Sequence, residues 1–160
     1  MNKLVHPLKP IYNKDSKILI LGSFPSIKSR EKNFYYANPH NRFFKVLELI
    51  YEEPINDKTE FLLKHHIALW DVIKSCEINN SSDSSIKNVE VNDIQGLINK
   101  TQITKIFING KKAFELYQKY LEKNLKIKGV YLPSTSPANA KYKLDDLVKS
   151  YEIIKNIDSI

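Results

Sequence analysis

Apolar residues fall along the chain in short unbroken runs, separated by stretches in which they recur at helical spacing. The first run, Ile18-Leu19-Ile20-Leu21, stops abruptly at Gly22-Ser23-Phe24-Pro25-Ser26. A run of that length without polar interruption predicts a strand buried on both faces, here the central one. Other predicted strands are Ile67 to Trp70 closing on Asp71, Ile103 to Ile108, interrupted by Thr104-Lys105 and closing on Asn109-Gly110, and Gly129 to Leu132 closing on Pro133-Ser134-Thr135-Ser136. Between the runs the period changes. Phe43, Val46, Leu47 and Ile50 predict a helix that starts at Asn38-Pro39, where Asn suits the N-cap and Pro the first helical position, so that Asn41 falls in the first turn. Further helices are predicted over 57–66, 92–99, 111–123 and 141–157. Alternating strands and helices imply an α/β three-layer sandwich, a central parallel sheet of about four strands flanked by helices, with right-handed crossovers.

Three segments carry no clear period. Residues 1–16, with Pro7 and Pro10, read as an irregular lead-in. Residues 22–37 form a long loop, which in a compact domain is usually functional, and its Phe34-Tyr35-Tyr36 cluster argues for order. Residues 75–92 look loop-like, and Asn79 to Ser85 is dense in side chains that bond their own backbone, as an exposed connection would be.

With 160 residues and 42% hydrophobic content, the chain is long enough for one core, so residues 1–160 are expected to form a single domain. The single Cys76 and the scattered His6, His40, His65 and His66 give no metal-ligand spacing, so neither metal nor cofactor is expected, and a reducing cytoplasmic setting is. The N-terminus lacks the apolar stretch of a signal peptide, and no run is long enough to span a bilayer. The formal charge of +7 invites a polyanion, but Arg30 and Arg42 are the only arginines, and lysine-rich usage also fits a plain solvated surface.

In an open parallel sheet, ligands bind at the carboxyl ends of the strands. The four strand ends here put Gly22 to Ser26, Asp71, Asn109-Gly110 and Pro133 to Ser136 on one edge: small hydroxyl residues, one carboxylate, amides and aromatics. No nucleotide-binding glycine motif occurs, and no Gly-x-Ser-x-Gly elbow supports a serine hydrolase.

These residues resemble motifs of the uracil-DNA glycosylase superfamily, and look most like its mismatch-specific and hypoxanthine-DNA (deoxyinosine) glycosylase branches. The resemblance is carried by Gly22 to Ser26, by Phe34 to Val46 with its Asn38-Pro39-His40-Asn41-Arg42-Phe43-Phe44 core, by Leu69-Trp70-Asp71, and by Leu132 to Asn139. It implies a four-stranded parallel-sheet sandwich and a monofunctional DNA repair glycosylase. Such an enzyme flips out a deaminated base, hypoxanthine first, uracil or xanthine next, and hydrolyses its glycosidic bond. It also implies that Tyr36 stacks on the extruded base, that Gly22 and Pro25 shape the pocket floor, that Asp71 reads the base and that Pro133-Ser134 opens a phosphate-contacting loop. Phe24 stands where many relatives carry a water-handling Asp or Asn, and Leu132 where uracil-specific relatives carry a His. The likeness to the hypoxanthine branch therefore moves the catalytic role to Asn41.

The chemistry agrees. Cleaving an N-glycosidic bond develops positive charge on the sugar and negative charge on the base, so a site needs a donor for the base, a held water and a means of keeping the base out of the helix. Asn41 offers an amide donor and acceptor, Tyr36 and Phe24 flat surfaces, and Ser23, Ser26, Ser134 and Ser136 phosphate contacts. Each also has a plainer reading: Asn41 as a helix cap, the aromatics as core, Asp71 as a cap after its strand. A non-catalytic nucleic-acid-binding module on the same fold is the alternative from another class, and a nucleoside enzyme a third. The expected partner is DNA with a deaminated base, bound by a monomer.

Overall fold

The computed structural model describes residues 2–78 and 85–159, so Asn79 to Ser84 of the polar segment lie outside the described residues. Four parallel strands, β2 (Ile18–Gly22), β3 (Ile67–Asp71), β6 (Lys105–Asn109) and β7 (Gly129–Leu132), form one sheet in the order β3-β2-β6-β7. β2 is interior as expected, and all five of its residues are buried. Successive side chains of a strand point to opposite faces, and each face here meets its own core. Ile18 and Ile20 join α2 (Phe43–Tyr51), α3 (Lys58–Lys64) and α7 (Leu144–Tyr151); Leu19 and Leu21 join α4 (Ile94–Asn99) and α5 (Lys111–Tyr120). That is the predicted three-layer sandwich.

A second sheet was not predicted. β1 (Asn2–Val5), β4 (Ile73–Ile78) and β5 (Lys87–Val91) pair antiparallel in the order β1-β4-β5. Residues 1–16 are therefore not wholly irregular, and 75–92 is not simply a loop. Ile73, Ser75 and Cys76 of β4 are buried while Lys74 is exposed, a half-buried pattern that register shifts against β5 interrupt. One bond at the end of β1, from His6 N to Lys74 O at 2.8 Å, fixes where His6 enters the fold.

Four further boundaries differ. Inside the expected loop, α1 (Ile27–Lys32) forms because Ser26 caps it, its hydroxyl accepting from Ser29 N at 3.2 Å. The helix expected from Asn38-Pro39 starts only at Phe43. Asn38 closes a turn instead: its Oδ1 accepts from His40 N at 2.8 Å, and its carbonyl accepts from Asn41 N at 2.9 Å. Helical geometry begins where Phe43, Phe44, Val46, Leu47 and Ile50 can be buried. Residues 111–123 break at Leu121, which ends α5 and precedes α6 (Glu122–Leu125), and the last helix gives way after Tyr151 to a 3-10 segment, Glu152–Ser159.

Candidate active site

Gly22 ends β2 between Asp71 and Asn109, which end the strands on either side. It pairs in register with Asp71, and its predecessor Leu21 pairs with Ile108. A Cβ at Gly22 would stand 2.6 Å from Asp71 Oδ1 and 3.5 Å from the Tyr36 hydroxyl. Glycine is thus required for the carboxylate and the phenol to come in over the strand end. Gly22→Ala is expected to displace the buried Asp71 side chain and to lower base excision at least about tenfold, with a smaller loss of thermal stability. Single-turnover rates alongside melting curves check this.

Asp71 is 4% exposed, and its Oδ2 lies 2.7 Å from His6 Nε2. Nothing in the sequence pointed to His6. It stands just past β1, sixty-five positions from Asp71, and its ring also meets Phe24 edge-on at 5.8 Å between centroids. Phe24, half-buried, has the Arg30 guanidinium 5.7 Å from its ring centroid on another side.

Tyr36 has a backbone φ of 53°, in the left-handed region that a tyrosine occupies only under constraint. This conformation lays its ring on Phe43, with centroids 4.1 Å apart and planes at 22°. One face of Tyr36 is therefore taken by protein. Its hydroxyl is buried with no hydrogen bond of good geometry among the described residues. Burial first, and the Asp71 carboxylate second, push the Tyr36 phenol far above its ordinary range, while the neighbouring Asn109 side chain, acting on it as a hydrogen-bonding group, pulls its pKa down; it remains a donor.

Asn41 is not in the first turn of α2. It lies one residue before the Arg42 N-cap, and its Oδ1 accepts from Phe43 N at 2.9 Å. The side chain does the capping that Arg42 does not. No bond is formed by Asn41 Nδ2 among the described residues, so an amide donor remains.

Arg42 is the second residue that sequence reasoning undervalued. Its backbone N–H donates to Thr135 O at 3.1 Å, and its Nη2 to Ser136 O at 2.9 Å and Asn139 O at 3.1 Å. Its Nη1 donates to Tyr142 O and its Nε to Thr135 O at 3.5 Å. The guanidinium thus fastens the 133–142 loop to the start of α2. Asn109 grips the same loop: Nδ2 donates to Thr135 Oγ1 at 3.0 Å, and Oδ1 accepts from Thr135 N at 3.2 Å. The buried Tyr151 hydroxyl adds a bond to Pro133 O at 2.8 Å. Within the loop, Ser134 Oγ accepts from Ser136 N and Ser136 Oγ from Ala138 N, both at 3.1 Å.

The residues expected in the site thus fall into two groups. Gly22, Tyr36 and Asp71 converge directly, Phe24 joins them through His6, Pro25 lies buried three residues past Gly22, and Asn41 reaches them through Phe43. Ser26, Ser134 and Ser136 use their hydroxyls to shape their own loops, while Ser23 is half-buried beside Gly22. The open clefts beside α3, which include Asp57 and Thr59, have no strand-end residue in their walls. Polar convergence, not concavity, marks the site. Among the described residues no group of three or more His, Cys, Asp or Glu could hold a metal ion, and no helix is long and apolar enough to cross a membrane.

A parallel sheet with Gly22, Asp71 and Asn109 at its carboxyl edge, next to an anchored Pro-Ser loop, is matched by known proteins. The profile of the Uracil DNA glycosylase superfamily covers residues 9–155, and the chain belongs to that superfamily. Its class is that of a DNA glycosylase. The chain is similar to the Hypoxanthine DNA glycosylase of Methanosarcina acetivorans, at 36% identity over 82% of this chain and 86% of that one. It is also similar to the Hypoxanthine DNA glycosylase of Methanosarcina barkeri, at 34% identity over 66% of this chain and 71% of that protein. The solution NMR structure of a candidate uracil DNA glycosylase from Methanosarcina acetivorans superposes with a TM-score of 0.81 at 30% identity, covering 97% of this chain and 99% of its own.

Proposed function

We propose that the protein removes deaminated bases from DNA, hypoxanthine foremost, by hydrolysing the N-glycosidic bond, and that it does so as a cytoplasmic monomer. The observation that carries this reading is the place of Asn41. Tyr36 rests on Phe43, and Arg42 is bonded to Thr135, so Asn41 stands between the aromatic wall of the base site and the Pro-Ser loop. Its Nδ2 is an amide donor with no partner among the described residues, suited to the negative charge that grows on a departing base.

In this scheme Tyr36, one face of which rests on Phe43, stacks on the extruded base, and Phe24 supplies a second flat surface. The floor at Gly22 and Pro25 bounds the base, and Asp71 reads its edge. Ser23, Ser26 and the turn built by Ser134 and Ser136 face the phosphates, where backbone N–H groups add donors. The bond from base nitrogen to C1′ breaks with its electron pair going to the base. Water adds to C1′, and the water's proton leaves to solvent or to the base, so a free base and an abasic sugar result. Asn41 Oδ1 retains a second lone pair with which to hold that water.

Purified protein incubated with a panel of duplexes, each with one altered base, tests the reading through the abasic sites formed. Release of hypoxanthine is expected, with uracil or xanthine slower. Tight salt-dependent binding to every duplex with no release from any would replace the enzyme with a binding module.

A further inference from the structure

The two arginines of the chain have opposite surroundings. Arg42 commits its guanidinium to loop carbonyls, with bonds from Nε, Nη1 and Nη2. Arg30, in the last turn of α1, is half-buried, and its Nε is buried with no hydrogen-bond partner among the described residues. It enters none of the ion pairs among them either. What its guanidinium meets is the ring of Phe24, 5.7 Å from the centroid. A cation gains from an aromatic ring, but arginine carries five N–H donors that a ring does not satisfy, and it cannot shed its charge. A desolvated N–H of a charged group without an acceptor is costly, so the position calls for an acceptor from outside the chain.

The backbone of Arg30 is held where such a partner would pass. Arg30 N donates to Ser26 O at 3.0 Å, and the Ser26 hydroxyl caps the same helix through Ser29 N. Ser29 Oγ in turn accepts from Ala37 N at 3.1 Å, one residue past Tyr36. α1 therefore bridges the Gly22 to Ser26 segment and the Tyr36 wall, and Arg30 is fixed on that bridge against Phe24. The solvent side of the bridge is open and basic. Ser26, Ile27, Lys28, Glu31 and Lys32 are exposed, so Lys28, Arg30 and Lys32 stand against one carboxylate in the helix. Asp71, the acid of the site, is engaged by His6 instead.

An anionic, acceptor-only group with two oxygens that match a guanidinium fork describes a phosphodiester. A nucleotide whose base has left the stack brings its own phosphates to the rim of the pocket, where Phe24 lies. We infer that Arg30 binds a phosphate flanking the extruded nucleotide, its fork taking both free oxygens, and so holds the DNA backbone in the path that extrusion requires. This rests on the glycosylase reading and deepens it by naming a residue that grips the distorted strand. The contact forms only when the strand passes Phe24, so Arg30 favours the flipped nucleotide over stacked DNA without touching the base.

The test is single-turnover excision from a deoxyinosine duplex by the full chain, at varied enzyme and salt concentrations, with melting curves alongside. Arg30→Gln is expected to raise the half-saturating concentration by about tenfold, far more than it lowers the saturating rate, and to reduce the slope of log affinity against log salt by about 1. Arg30→Lys keeps the charge and loses the fork, so its slope should stay near wild type while half-saturation remains at least about threefold weaker. A guanidinium that only packed on Phe24 would change melting and leave the salt slope alone. The decisive arm replaces the phosphates around deoxyinosine, one at a time, by neutral methylphosphonates. At one position next to deoxyinosine the wild type should lose what Arg30→Gln has already lost, and the two proteins should then bind alike.

A wild-type salt slope in Arg30→Gln would overturn the inference, as would a difference from wild type that survives at every methylphosphonate position. So would a saturating rate lowered about tenfold at wild-type half-saturation, which would put the guanidinium on the departing base. If Arg30→Gln does not fold, Arg30→Lys takes its place in the methylphosphonate series. Its deficit must vanish at one position beside deoxyinosine, and wild-type affinity in Arg30→Lys removes the fork. An active wild type whose variants match it leaves the glycosylase reading standing, whereas a wild type that releases no base from any duplex removes both.

Discussion

Asn41→Ala is expected to lower single-turnover release of hypoxanthine by on the order of 10²- to 10³-fold, the usual consequence of removing a donor aimed at developing negative charge. The same substitution also removes the acceptor for Phe43 N, a cap worth about 1 kcal/mol, so a slower enzyme alone would not separate chemistry from structure. Asn41→Asp separates them. It keeps an oxygen for Phe43 N and for the water, and so should restore the melting temperature, but it has no N–H to offer the base and should stay at least about tenfold below wild type. Measuring at saturating enzyme removes any effect of the added charge on DNA affinity. An Asn41→Asp protein as fast as wild type would show that the amide donor has no part in the reaction.

How far the fold was legible depended on how deeply each strand is buried. β2 and β3 are enclosed on both faces, so their sequences, Ile-Leu-Ile-Leu-Gly and Ile-Ala-Leu-Trp-Asp, are unbroken apolar runs that admit little but a central strand. β4 and β5 are half-exposed and carry Lys74, Glu77, Lys87 and Glu90, and register shifts disturb the alternation that would have revealed them. β1 is four residues long and finds its partner only by pairing Leu4 with Cys76 and Val5 with Ser75, contacts that no local pattern encodes.

The site divides along the same line. Gly22, Asp71 and Asn109 were visible because they terminate strong strands. His6 was not, because it depends on β1 being a strand at all. Asn38-Pro39 looked like a helix start on propensity, but the Asn38 side chain closes a turn on His40 N, and tertiary burial then chose Phe43 as the first helical residue. The shift matters for chemistry, since it puts Asn41 outside the helix, where its side chain can cap and still present an amide. The left-handed Tyr36 has no sequence signature either. Its conformation comes from the stack on Phe43 and the room that Gly22 leaves for its hydroxyl.

Arg42 decides whether the loop from Pro133 to Tyr142 is a built element of the site. Its side chain donates to the carbonyls of Thr135, Ser136, Asn139 and Tyr142, and Arg42→Ala would leave those acceptors without their common donor. A cost on the order of 3 kcal/mol in stability is expected, since hydrogen bonds to a charged donor are individually strong and the carbonyls are only partly wet. Affinity for deoxyinosine duplex should fall as well, because a loosened loop must be ordered again on binding. Arg42→Lys tells a fastener from a phosphate ligand. If the residue acted through its charge on DNA, lysine would restore most of the affinity, and the dependence of binding on salt would stay near wild type. A single ammonium cannot span carbonyls held by a planar fork, so the lysine variant is expected to remain weak and to melt below wild type. Titrations of both variants at two or more salt concentrations, with melting curves beside them, distinguish the cases. Wild-type affinity in Arg42→Lys would mean that the guanidinium's bonds to the loop contribute little, and that the hold of Asn109 and Tyr151 on Thr135 and Pro133 is sufficient to keep the loop in place.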